Sequence, residues 1–66
     1  MNVVLNGERR ELDDGATVAD AVEISGAPES GVAVAVEGEV VPRGAWATQP
    51  LAEGQRVEVL QAVQGG

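Results

Sequence analysis

The sequence predicts a small α+β domain in which one β-sheet packs on one face against a single short helix. Valine supplies 12 of the 66 residues, and β-branched side chains favour pleated strands over helices. Short apolar runs end at turn signals such as Asn6-Gly7. Residues 18–25 instead repeat their apolar positions at helical spacing. A chain of this length forms one domain with one thin core.

The first two strands are predicted to form a hairpin. Val3 and Leu5 alternate with their neighbours, and Asn6-Gly7 suits the positive φ angles of a tight turn. The second strand, residues 8–12, is charged at most positions, which is typical of the edge of a sheet. Asp13-Asp14-Gly15 then closes this strand with a turn.

A helix of about two turns is predicted to follow the hairpin. Thr17 and Asp20 have the spacing of a capping box, and Gly26 followed by Pro28 is a typical helix stop. Small or apolar side chains recur along one helical face, which we expect to pack on the sheet: Val18, Ala21, Val22 and Ser25.

The third and fourth strands are predicted to form a second hairpin. Residues 32–36 alternate valine with alanine, which favours a strand buried on one face and closely covered on the other. Glu37-Gly38-Glu39 turns the chain, and Val40-Val41 pairs back before Pro42, which cannot donate to a ladder. Residues 43–50 are predicted to form an irregular loop.

The last strand is predicted over residues 56–63, after a turn at Glu53-Gly54. If Val57 and Val59 point inward, Glu58 and Leu60 lie on the opposite face. Leu60 would then be an exposed apolar residue, either an anchor for the activating enzyme or an ordinary surface leucine.

Three other side chains invite a structural or a partner-binding interpretation. Trp46 is the only aromatic residue, and we expect it to close one end of the valine core. For Arg43 and Arg56 we favour ion pairs with the chain's own surplus of acids over contacts with a partner.

The composition excludes several classes of function. The net charge is −7, which disfavours binding to nucleic acid and to anionic membranes. With no cysteine and no histidine, the chain lacks the usual nucleophile, general base and metal ligands. No apolar run is long enough for a membrane span, and a cytoplasmic location is expected.

The final pair Gly65-Gly66 is the strongest functional signal. Glycine adds no packing and loses the most entropy on ordering, although a frayed, functionless tail is the simple alternative. A carboxylate on glycine can enter a narrow cleft, but it is ionised and must be activated before sulfur or nitrogen can attack it. Nothing in this chain can perform that activation, so a partner enzyme is required.

The whole chain resembles the ubiquitin-like β-grasp carriers, and within them the thiamine-biosynthesis sulfur carrier (ThiS) family. The resemblance rests on Asn6-Gly7-Glu8, Gly15, Thr17-Val18-Ala19-Asp20, Val32-Ala33-Val34, Val40-Val41-Pro42-Arg43, Trp46, Leu51, Gly54, Arg56-Val57-Glu58-Val59, Val63 and Gly65-Gly66. It implies a mixed sheet of four to five strands on one short helix, with a β-grasp domain over residues 1–63. A flexible tail, residues 64–66, would follow.

The resemblance also implies a role and partners. Gly66 would be adenylated by an E1-like enzyme using ATP, converted to a thiocarboxylate with a sulfur donor such as a cysteine desulfurase, and used by thiazole synthase. The chain itself would be a carrier, with no catalytic residue and no bound cofactor or metal. Gly65 and Gln64 would give the tail access to the partner's cleft, and the partner-binding candidates are Leu60, Glu58, Ala62 and Arg56.

Three positions depart from the family pattern: Glu37, Gln55 and Gln64, of which Gln64 could influence the choice of partner. Two other carrier functions are open alternatives. One is the thiocarboxylate-bearing small subunit of molybdopterin synthase, whose chains are usually longer. The other is a ubiquitin-like protein modifier, which the absence of lysine would limit to single attachment. An interaction domain with a fortuitous tail is a further alternative.

Overall fold

The fold is described from a computed structural model covering residues 1–28 and 30–61. Its elements are β1 (Asn2–Leu5), β2 (Glu8–Glu11), α1 (Val18–Ser25), β3 (Val32–Val36), β4 (Glu39–Val41), a 3₁₀ helix (Arg43–Ala45) and β5 (Arg56–Gln61). The described part contains no helix long and apolar enough to cross a membrane.

The five strands form one mixed sheet in the order β2-β1-β5-β3-β4. The β1–β2, β3–β4 and β3–β5 pairs are antiparallel, and the β1–β5 pair at the centre is parallel. The helix packs on one face of this sheet, with Val18 and Ala21 fully buried. This arrangement is the predicted β-grasp fold, and the charged β2 lies at one edge as expected.

Local signals explain both ends of the helix. The Thr17 N–H donates to the Asp20 carboxylate at 2.8 Å, which confirms the predicted capping interaction. At the other end Gly26 adopts a left-handed conformation with φ 76°. This conformation carries a steric cost for residues with a Cβ, so glycine suits the position.

The turn between β3 and β4 contains an unusual residue. Glu37 and Gly38 both have positive φ, 50° and 82°. Positive φ is disfavoured for glutamate, but both the backbone N–H and the side-chain carboxylate of Glu37 form hydrogen bonds with β5. Its N–H donates to the Arg56 carbonyl at 2.9 Å, and its carboxylate accepts the Arg56 N–H. These two hydrogen bonds offset the conformational energy that the positive φ of Glu37 costs.

The core lies between the helix and the inner face of the sheet. Trp46 is 8% exposed, and its indole N–H donates to the Val41 carbonyl at 2.9 Å. The predicted structural role of Trp46 is therefore confirmed. The buried apolar side chains are Val3, Leu5, Leu12, Ala16, Val18, Ala21, Val34, Val36, Val41, Trp46, Leu51, Val57 and Val59.

Two details of the sequence prediction are wrong. The second face of β3 is not closely covered, because Ala33 is exposed and Ala35 is only half-buried. Residues 43–50 are not wholly irregular, since they contain the 3₁₀ helix and a bridge from Thr17 to Pro50. Small alanine side chains fit an open surface as well as a tight interface, so sequence alone did not decide this point.

Candidate docking face and tail

Three exposed side chains of the last strand lie on the face of the sheet away from the helix. Val57 and Val59 point into the core with 0% and 7% exposure, so the alternation of β5 places Arg56, Glu58 and Leu60 on the opposite face. This confirms the predicted orientation. We call the face of the sheet away from the helix the outer face.

Apolar side chains continue across the outer face from β5 to β4. Ala33 lies opposite Leu60, and Ala35 lies between Glu58 and Val40 in the strand register. Leu60 is 60% exposed and Val40 77%. We call these four apolar residues, Leu60, Ala33, Ala35 and Val40, the outer patch. Of these four residues only Leu60 was predicted from the sequence, although the valine–alanine alternation of β3 was an available signal for Ala33 and Ala35.

The outer patch has the properties of a docking surface. The short side chains of its two alanines form a shallow centre on β3. Leu60 and Val40, on the two neighbouring strands, are each more than half exposed to solvent. Covering exposed side chains of this kind releases water without requiring the core to repack. Glu58 and Arg56 provide charges of both signs on the same strand, which can set the orientation of a partner.

The two arginines are not paired as expected within the described residues. No acid of residues 1–28 or 30–61 lies within salt-bridge distance of Arg43 or Arg56. The Arg43 guanidinium instead lies 5.5 Å from the centre of the Trp46 ring, a cation–π contact. Arg43 thus packs on the closing residue of the core, whereas Arg56 lies on the outer face.

Asn6 makes a contact that the sequence analysis missed. Its side-chain oxygen accepts the Val59 N–H at 2.8 Å, and its side-chain nitrogen donates to the Val59 carbonyl at 3.2 Å. The Asn6-Gly7 signal predicted the turn but not this contact, because the two residues are 53 positions apart. The amide therefore joins the first turn to the strand that leads to the tail.

The remaining predicted site residues, Ala62, Gln64, Gly65 and Gly66, lie outside the described residues, as does the predicted boundary at residue 63. Within the described part, no group of three or more acidic, histidine or cysteine side chains is arranged to hold a metal ion.

Comparison with known families identifies the chain. The model of the ThiS family matches residues 3–66, which include every candidate site residue. The chain belongs to the ThiS family. Members of this family are small sulfur carrier proteins.

Relatives of known sequence or structure agree with this assignment. The sulfur carrier protein ThiS of Escherichia coli (strain K12) is 27% identical over 66 residues, covering 100% of both chains. The crystal structure of the thiamine biosynthesis protein ThiS from Geobacter metallireducens superposes with a TM-score of 0.80 at 28% identity, again over 100% of both chains. SAMP1 from Haloferax volcanii gives a TM-score of 0.60 at 20% identity, covering 98% of this chain and 97% of that one, which shows a shared fold alone.

ThiS family membership gives the outer patch a clear context. A carrier must be recognised by the enzymes that load and unload it, and Leu60 of the outer patch lies on β5, the strand that precedes residues 62–66 in the sequence. Among the described residues, Leu60 combines an exposed apolar side chain with closeness in sequence to the tail.

Proposed function

We propose that this chain carries sulfur for the synthesis of the thiazole ring of thiamine, as a thiocarboxylate on Gly66. The observation that supports this most directly is the ThiS family match through residue 66. An E1-like enzyme transfers AMP from ATP to the Gly66 carboxylate and releases pyrophosphate. A sulfur donor such as a cysteine desulfurase then supplies the sulfur that replaces AMP, and thiazole synthase receives it.

The chemistry of the chain supports the role of a passive carrier. An acyl-adenylate is attacked by thiols, imidazoles and amines. The sequence has no cysteine, histidine or lysine side chain that could compete with the sulfur donor. No side chain of these three types would therefore compete with the partner's nucleophile for the activated carboxyl group.

The outer patch supports recognition by those partners. Leu60 and Val40 provide apolar area, and Glu58 and Arg56 provide the flanking charges. Ala62 follows β5 in the sequence, and Gln64 with Gly65 precedes the reacting carboxylate of Gly66. We propose that the E1-like enzyme binds the outer patch and accepts residues 64–66 in its adenylation cleft.

Intact-protein mass spectrometry tests this proposal. The chain is incubated with an E1-like enzyme, ATP and a cysteine desulfurase with cysteine, and then fragmented to locate any exchange of oxygen for sulfur. We expect the exchange at the carboxyl group of Gly66, dependent on ATP. The matched control is a chain lacking Gly66, which keeps the folded domain and should acquire no sulfur.

Reconstitution with the acceptor enzyme distinguishes the possible fates of the sulfur. The thiocarboxylate form should support thiazole formation by thiazole synthase, and the untreated chain should not. No exchange at Gly66, or thiazole synthesis that continues with the truncated chain, would contradict the proposal. Stable copurification with a molybdopterin synthase large subunit would support the molybdopterin alternative, and tail remnants attached to lysines of other proteins would support the modifier alternative.

A further inference from the structure

The two hydrogen bonds between the Asn6 side chain and the Val59 backbone occur where β1 ends but β5 continues. β1 pairs with β5 through Val4 and Leu5, and the Asn6 N–H still donates to the Val57 carbonyl at 2.9 Å. The backbone of Asn6 then turns away, with φ 50°. Its side-chain amide takes up the next position of the ladder by bonding both the N–H and the carbonyl of Val59.

The side-chain amide of Asn6 thus makes the two hydrogen bonds to Val59 that the backbone of a longer β1 would make. A side-chain amide offers one acceptor and two donors, so it can reproduce the pairing of a peptide group. Asparagine also tolerates the left-handed conformation that this first turn position requires. A single residue type therefore meets the backbone and the side-chain requirement at Asn6.

We infer that Asn6 is a positioning residue: its amide holds β5 at Val59 and thereby fixes the strand from which Gly66 is presented to the activating enzyme. This inference rests on the proposed function. Val59 is the direct neighbour in sequence of Leu60, the residue proposed to anchor the partner, and both residues lie on β5, which precedes residues 62–66 in the sequence. Without the Asn6 amide, β5 would be held at Leu60 and Gln61 by β3 alone, so Leu60 could still dock while the carboxylate is less often in the reactive position.

The inference predicts a split between binding and turnover. Asn6→Gly keeps the positive φ and removes both side-chain bonds. The KM for the carrier, where it reflects docking at the outer patch, should stay within about twofold. The kcat for adenylation should fall about tenfold or more, as the loss of two net hydrogen bonds at the strand end allows.

Amide hydrogen exchange provides a readout that does not depend on the enzyme. In Asn6→Gly the Val59 amide should exchange about ten- to a hundredfold faster, while the amides of β3 change much less. Asn6→Asp keeps an oxygen that can accept the Val59 N–H, so it should restore much of the protection of that amide and part of kcat.

A destabilised control separates positioning from general loss of stability. Trp46→Phe weakens the core without touching the Asn6–Val59 contact, and at a temperature where it is fully folded its kcat should match the unchanged chain. Two results would overturn the inference. One is that Asn6→Gly accelerates exchange of the Val59 amide no more than exchange of the β3 amides. The other is an unaltered kcat for Asn6→Gly while the unchanged chain is active. If the unchanged chain is not adenylated at all, the proposed function fails, and the exchange measurement still decides whether Asn6 holds β5.

Discussion

Replacement of Leu60 by alanine tests the outer patch as a docking surface. The substitution removes three carbons, each contributing about 0.8 kcal/mol when it leaves water, or about 2.4 kcal/mol in all. Leu60 is 60% exposed in the free chain, so a partner can bury only that fraction. The expected loss of binding free energy is about 1.4 kcal/mol, which is about a tenfold increase in Kd.

Isothermal titration of the E1-like enzyme with the Leu60→Ala chain measures this change directly. The free energy of unfolding of the variant should lie within about 0.5 kcal/mol of that of the original chain, because an exposed side chain contributes little to the core. Urea unfolding checks that expectation. Any weaker binding then reflects the lost contact with the enzyme.

The matched control is Ile24→Ala. Ile24 is also an exposed aliphatic residue, at 43%, but it lies on α1, on the opposite side of the sheet. Its replacement should leave Kd unchanged. A Kd for Leu60→Ala within twofold of the original, or an equal loss for Ile24→Ala, would show that the outer patch is not the docking surface.

Two further predictions concern stability. Trp46→Phe leaves the Val41 carbonyl without its indole donor and should lower the free energy of unfolding by about 1–3 kcal/mol. The Tm measured by far-UV circular dichroism should fall by about 4–8 °C for each kcal/mol lost. An unchanged Tm would refute the role of the indole hydrogen bond. Gly38→Ala forces alanine to adopt φ 82° and should cost about 1–2 kcal/mol in urea unfolding, whereas Gly44→Ala, where φ is not positive, should cost much less. Equal losses at the two glycines would contradict the argument from φ.

Features encoded by neighbouring residues could be predicted from the sequence. The helix between Thr17 and Gly26 was predictable because its caps lie within one turn of the residues they satisfy. The exposure of Leu60 followed from the period of two in β5. In both cases the deciding information lies within a few residues.

Features that depend on distant partners could not be predicted in the same way. The Asn6 amide meets Val59 only because β1 and β5 become neighbours at the centre of the sheet. The outer patch likewise requires β3 to lie between β5 and β4, which brings Val40 and Leu60 to one face. Alternation within β3 identifies its two faces but does not say which face another element covers.

The position of β5 explains how one small chain can combine recognition with delivery. This strand is paired on both sides, with β1 and with β3, so it is supported along most of its length by the rest of the sheet. Leu60 and the proposed reactive Gly66 belong to the same final segment, separated only by residues 61–65. Binding free energy gained at the outer patch can therefore help to place the carboxylate, provided that β5 does not move relative to the patch residues on β3 and β4. The Asn6 amide limits such movement on the β1 side of the strand, where β1 turns away from β5 while β3 stays paired as far as Gln61.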